Sequence, residues 1–179
     1  MKVPDISKPY VRRFCESVVP RARPERVKHQ PLVDAEAAEC FRVVEAHVAA
    51  NGGEAVIGWA IWEWRKVMIE AEFHAVWRDP NGKLLDLTPQ GFKPPRILFV
   101  PDPQRQYEGV QVNNIRRPLR EDERITRYID LWQQRFELLN EGDLANQHGL
   151  VGVSELRLGE IEDAMYQTRR SLALDFGPG

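Results

Sequence analysis

The run from Val67 to Thr88 constrains this chain most, because two alternating segments meet there across Asp79-Pro80-Asn81-Gly82-Lys83. Pro80 presets the first central angle of a type I turn, and Gly82 accepts the left-handed backbone that must follow. The spacing therefore predicts a three-residue hairpin loop with a bulge. Asp79 then faces Lys83, and every pair of facing residues keeps their sum of 162. In that register Val76 lies opposite Asp86 and His74 opposite Thr88, so His74 and Asp86 become diagonal neighbours on one face, about 7 Å apart at Cα level. A two-residue Asn-Gly loop would pair Asp86 with Trp77 and send it to the face away from His74. Whether the two share a face thus rests on Pro80.

The elements around this hairpin follow from periodicity. Ala37, Phe41, Val44 and Val48 recur at helical spacing and predict a helix over 34–50, stopped by Asn51-Gly52-Gly53. Residues 54–64 are apolar on both alternations, which predicts a central strand covered on both faces. Along 67–78 one face is apolar and the other carries Glu70, Glu72 and His74. A short strand is expected at Ile97 to Val100, then an irregular crossing over 101–119. Ile125, Ile129, Trp132, Phe136 and Leu139 form one helical stripe, and Leu158, Ile161, Met165, Thr168 and Leu172 form a second. The expected organisation is a basic N-terminal wrap over 1–33, an α+β core over 34–119 and a helical extension over 120–179.

Charge narrows the function classes. Twenty-five basic side chains against 27 acidic ones leave a formal charge of −2, which gives no global reason for a nucleic-acid or membrane-surface partner. Residues 1–31 carry eight basic and three acidic side chains, a local charge of +5, but Tyr10 and Phe14 are the only aromatics among them. The prolines at 4, 9, 20 and 24 favour a wrap over a nucleic-acid arm. No apolar run approaches the roughly 18 residues that would span a bilayer, and the N-terminus lacks a secretory core. Two cysteines are too few for a disulfide scaffold, so the expected address is a reducing cytoplasm and any cysteine of interest is a thiol.

Asp86 on one imidazole nitrogen of His74 would fix the tautomer and leave the other nitrogen to act as a base. The missing partner is a nucleophile. Cys40 precedes His74 by 34 residues and sits near the start of the expected helix, where unpaired amides and the helix dipole favour a thiolate. Cys40, His74 and Asp86 are therefore the candidate nucleophile, base and orienting acid.

Glu-Cys-Phe (39–41), Gly-Gly (52 and 53), His-Ala-Val-Trp (74–77), Asp-Pro-Asn-Gly (79–82) and Leu-Asp-Leu-Thr-Pro (85–89) together resemble the core of transglutaminase-like proteins, within the wider papain-like superfamily. The resemblance covers under a third of the chain. Phe41 stands where the family usually has Trp, Val76 separates Ala75 from Trp77, and Leu87 stands where Pro is common. It implies an α+β, papain-like core, with a helix packed on an antiparallel sheet of three to five strands and extra C-terminal helices closing one side. It also implies amide chemistry through a thioester, as a hydrolase or acyltransferase on a peptide or protein, and maps nucleophile, base and acid onto the same three residues. No calcium-loop spacing is present and no cofactor is called for.

Other residues carry secondary expectations. Gln30, upstream of Cys40, and the indole N–H of Trp59 are candidate oxyanion donors, with the Cys40 amide the safer one. Glu70, Glu72 and His74 alternate on one strand face and allow a divalent-metal reading. Cys15 has no nearby His or Asp and is expected to be inert. The competing function class is a catalytically silent scaffold that binds a protein partner.

Overall fold

Strand β1 (Glu25–His29) lies inside the basic lead, between two strands that come some sixty to seventy residues later in the chain. The computed structural model describes residues 1–140 and 155–179. Within these, helix α1 (Pro9–Val18) and β1 are followed by α2 (Cys40–Asn51), β2 (Glu54–Trp64), β3 (Met68–Arg78), β4 (Leu84–Asp86), β5 (Arg96–Pro101), β6 (Ile115–Pro118), α3 (Glu123–Leu139) and α4 (Glu155–Phe176). The class is α+β. Strand order is β2-β5-β1-β4-β3-β6, and an added β2–β3 pairing closes the first five into a small barrel.

The sheet departs from expectation in two ways. It has six strands, and β1 runs parallel to β4, pairing Lys28 with Leu85 and His29 with Asp86, while its other edge pairs antiparallel with β5. The expected wrap over residues 1–33 thus supplies a barrel strand. Val27 and His29 alternate inward between charged, exposed neighbours, and Val11, Phe14 and Cys15 bury one face of α1.

The hairpin register is the one the loop dictates. Trp77 pairs with Leu85 and Arg78 with Leu84, each pair summing to 162. The Asp79 amide donates to the Lys83 carbonyl at 2.9 Å, and Gly82 takes φ +84°. The polar face of β3 is not open, however. His74 and Val76 are buried, and so are Leu85, Asp86, Leu87 and Thr88 on the returning side.

Helix α2 begins at Cys40, six residues later than the periodicity predicts. Ala35 to Glu39 are good helix formers, but the chain before them is already committed. The Gln30 amide donates to the Asp86 carbonyl at 2.8 Å and the Leu32 amide to the Leu87 carbonyl at 3.0 Å, which extends the β1–β4 pairing to residue 32. The chain must turn from there to reach the helix, and Ala38 makes that turn at φ +63°. Sheet pairing overrides local propensity here. From its first residue α2 packs Cys40 and Val44 against Ala75, with Phe41, Val48 and Trp77 at the margins. Complete burial of Val44 alone contributes about 1.5–3 kcal/mol. The helix stops where Asn51-Gly52-Gly53 stops it. Gly52 has φ +72°, and Gly53, at φ +81°, lies so close to β3 that an added Cβ would meet the Arg78 carbonyl oxygen at 2.2 Å.

The chain divides into two compact units. One comprises residues 2–62 and 71–107, and holds every residue of the candidate site. The other comprises Met1, 63–70 and 108–179. In the latter, α3 and α4 bury Ile125, Tyr128, Leu131, Met165 and Leu172 with Trp64, Val67 and Met68. The two expected stripes do form helices, although α3 buries Tyr128 and Leu131 in place of Phe136 and Leu139. Residues 141–154 of the expected helical extension lie outside the described residues.

Candidate active site

Cys40 is the first residue of α2, and the Glu39 side chain makes no capping bond there. The first-turn amides of a helix have no intrahelical acceptor, so they and the helix dipole present positive potential beside the sulfur. Cys40 is 6% exposed. It is a free thiol, as is Cys15.

His74 reaches the site from the middle of β3 and is 1% exposed. Its Nε2 lies 3.0 Å from Asp86 Oδ1, and the Cys40 side chain is near enough to help raise the ring's pKa. With Nε2 taken by Asp86, Nδ1 is the nitrogen left to the thiol. Burial alone would hold the ring neutral. The hydrogen bonds to Asp86 and Cys40, with the negative charge both supply, overcome it and raise the His74 pKa well above the usual histidine value.

Asp86 is wholly buried. Its Oδ1 also accepts the Thr88 amide at 3.2 Å, a short-range bond that fixes the carboxylate plane at the end of β4. Its Oδ2 makes no hydrogen bond among the described residues. The group nearest to an ion partner for that oxygen is His29, whose Nε2 stands 3.9 Å away across the parallel pairing. Sequence reasoning missed His29. The signal was present, since Val27 and His29 alternate with Arg26, Lys28 and Gln30 at the period of two expected of a half-buried strand.

Both secondary oxyanion candidates are committed to other partners. Gln30 is exposed, its Oε1 accepts from Lys28 Nζ at 2.9 Å, and its link to the site is the backbone bond to Asp86. Trp59 is buried with its indole N–H committed to Asp102 Oδ2 at 3.1 Å, while its ring packs on Phe73. The donors that the geometry supplies are the first-turn amides of α2. Tyr107, also missed, stacks on Phe41 with ring centroids 3.9 Å apart. Burial, then the negative charge of Glu39 and Cys40, pushes its hydroxyl pKa up and keeps it a donor.

The metal reading fails on partners. Glu72 accepts the Trp62 indole N–H, and Glu70 is ion-paired to Arg116 at 2.7 Å and bonded to Asn114. Among the described residues no group of three or more His, Cys, Asp or Glu is placed to hold a metal ion. Loop 32–36 and the outer face of α2 enclose an open cleft of about 690 Å³ that reaches Glu39, the residue before Cys40. No helix among the described residues is long and apolar enough to cross a membrane. No family model matches the chain, and neither curated proteins nor solved structures gave a match.

Proposed function

We propose that the protein is a thiol-dependent hydrolase or acyltransferase acting on amide bonds of a peptide or protein, built on a papain-like, transglutaminase-like core. One observation carries this reading: His74 Nε2 is bonded to a buried Asp86, and Cys40, which opens a helix, is near enough to act on the same ring. Cys–imidazole–carboxylate order, with the sulfur at positive potential, is the arrangement that makes a thiolate the attacking species. Loss of the thiol proton to His74 leaves a thiolate beside an imidazolium. The sulfur then adds to the carbonyl carbon, and the amides at the start of α2 bind the oxyanion. His74 returns its proton to the leaving amine, and the thioester is resolved by water or by an acceptor amine. A free thiol of this kind needs a reducing compartment, and the cytoplasm fits.

The competing reading is a silent papain-like scaffold that binds a protein partner. The 6% exposure of Cys40 favours it, since a nucleophile must meet its substrate. Alkylation separates the two. Iodoacetamide is offered across pH and the adducts are mapped, with Cys15 as the internal control, because burial pushes its thiol up to about 11. Rapid modification of Cys40 below pH 7 that disappears in His74→Ala is the expected result. Equal sluggishness at Cys15 and Cys40 would leave the scaffold.

A further inference from the structure

His29 lies on the far side of Asp86 from His74, with its side chain 3% exposed, and both of its ring nitrogens are aimed at backbone carbonyls. Nδ1 stands 3.0 Å from the Pro94 oxygen and Nε2 stands 3.0 Å from the Thr88 oxygen. A neutral imidazole has one N–H and one lone pair, so one of those contacts would set a lone pair against a carbonyl oxygen. Only the imidazolium, with two N–H groups, donates to both. The charge it carries has one counter-charge close by, Asp86 Oδ2 at 3.9 Å, the oxygen with no hydrogen-bond donor of its own.

We propose that His29 is a positioning residue: an imidazolium that anchors the Thr88 and Pro94 carbonyls and balances Asp86 from behind, so that the carboxylate orients His74 without trapping its proton. The inference rests on the triad reading for its catalytic consequence, but not for the charge on the ring. A thiolate at Cys40, a carboxylate at Asp86 and imidazolium rings at His74 and His29 sum to zero. Without His29 the same group carries a net negative charge in a buried place, which costs far more than a neutral one. The remaining charges on β1, β5 and the segment before β5 sit in solvent. Glu25, Arg26 and Lys28 on β1, Arg96 at the start of β5 and Lys93 just before it are exposed, and Lys28 is bonded to Gln30.

The sign of the effect follows. A positive His29 favours loss of the proton from the Cys40–His74 pair, so removing its charge must move thiolate formation to higher pH. His29→Gln keeps a donor and removes the charge. Its Cys40 alkylation midpoint is expected to rise by about half a pH unit or more, with the fold intact by circular dichroism. A purely structural role would lower stability and leave the midpoint in place. The wild-type chain supplies a second reading that does not depend on the variant folding. Nitrogen-15 spectra of the histidine rings at pH 7 are expected to show both His29 nitrogens protonated. A His29 ring with a single N–H at that pH, or an unmoved midpoint in a folded variant, overturns the proposal. A wild-type Cys40 inert at every pH defeats the thiol reading instead, and the ring spectrum still decides the charge on His29.

Discussion

His74 Nε2 and Asp86 Oδ1 are 3.0 Å apart, and neither side chain reaches solvent. A hydrogen bond to a carboxylate in such a place is strengthened by the low local dielectric, and it fixes which imidazole nitrogen faces the sulfur.

Asp86→Asn tests that bond with volume held nearly constant. The amide can still accept, but it supplies no charge, and the ring loses its reason to keep the proton on Nε2. Turnover of any amide substrate should fall about 10²–10⁴-fold, and Cys40 alkylation below pH 7 should slow with it. Unfolding in urea should show a loss of about 1–3 kcal/mol, since the Thr88 amide is left with a poorer acceptor.

The pH dependence of stability has a definite sign. The folded-state pKa of His74 lies well above the ordinary 6.5, so the folded state holds a proton that the unfolded chain releases first. The stabilisation is therefore complete below about pH 6.5 and is lost as pH rises through the folded value. Melting temperatures from pH 6 upward should decline for the wild type, and the decline should be shallower in His74→Gln. A decline of equal slope in both would remove His74 as its source.

Trp59→Phe separates core from catalysis. Because the indole N–H is spent on Asp102 Oδ2, its loss leaves that buried oxygen with only the Arg105 guanidinium at 3.8 Å and should cost about 1 kcal/mol of stability. The alkylation rate of Cys40 should stay within about twofold of wild type, since no oxyanion donor is removed. A large rate loss in a folded variant would return Trp59 to the site.

Two glycines with the same sign of φ should respond differently to alanine. At Gly53 the new Cβ would meet the Arg78 oxygen at 2.2 Å and the Trp77 Nε1 at 2.8 Å. At Gly82 there is nothing within 4 Å. Gly82→Ala should carry only the left-handed penalty of about 1 kcal/mol, whereas Gly53→Ala must push α2 off β3 and should cost several times more. Denaturant midpoints measure both.

What could be read from the sequence was whatever short-range chemistry determines. Pro80 and Gly82 set the hairpin, so the diagonal placement of His74 and Asp86 was legible from five loop residues. The stop of α2 at Asn51-Gly52-Gly53 was legible for the same reason. Its start was not, because Ala35 to Glu39 would be helical on propensity and are held off by pairing between residues 30–32 and 86–87. His29 escaped notice because β1 is five residues long and mostly charged, and its partner lies 57 positions later. Asp102 and Tyr107 fall in a stretch with no periodicity, where only tertiary contacts assign a role.

The parallel pairing of β1 with β4 has a consequence for the life of the chain. Its two strands are separated by a long closure, so their union belongs among the late and slow events of folding. The hairpin alone can bring Asp86 beside His74, but the Asp86 backbone carbonyl gains the Gln30 amide, and its second carboxylate oxygen gains His29 as a neighbour, only when the N-terminal segment docks. A nascent or partly unfolded molecule therefore carries Cys40 without the finished barrel around it, and any reactivity that the barrel confers on the sulfur arrives only with the N-terminal segment.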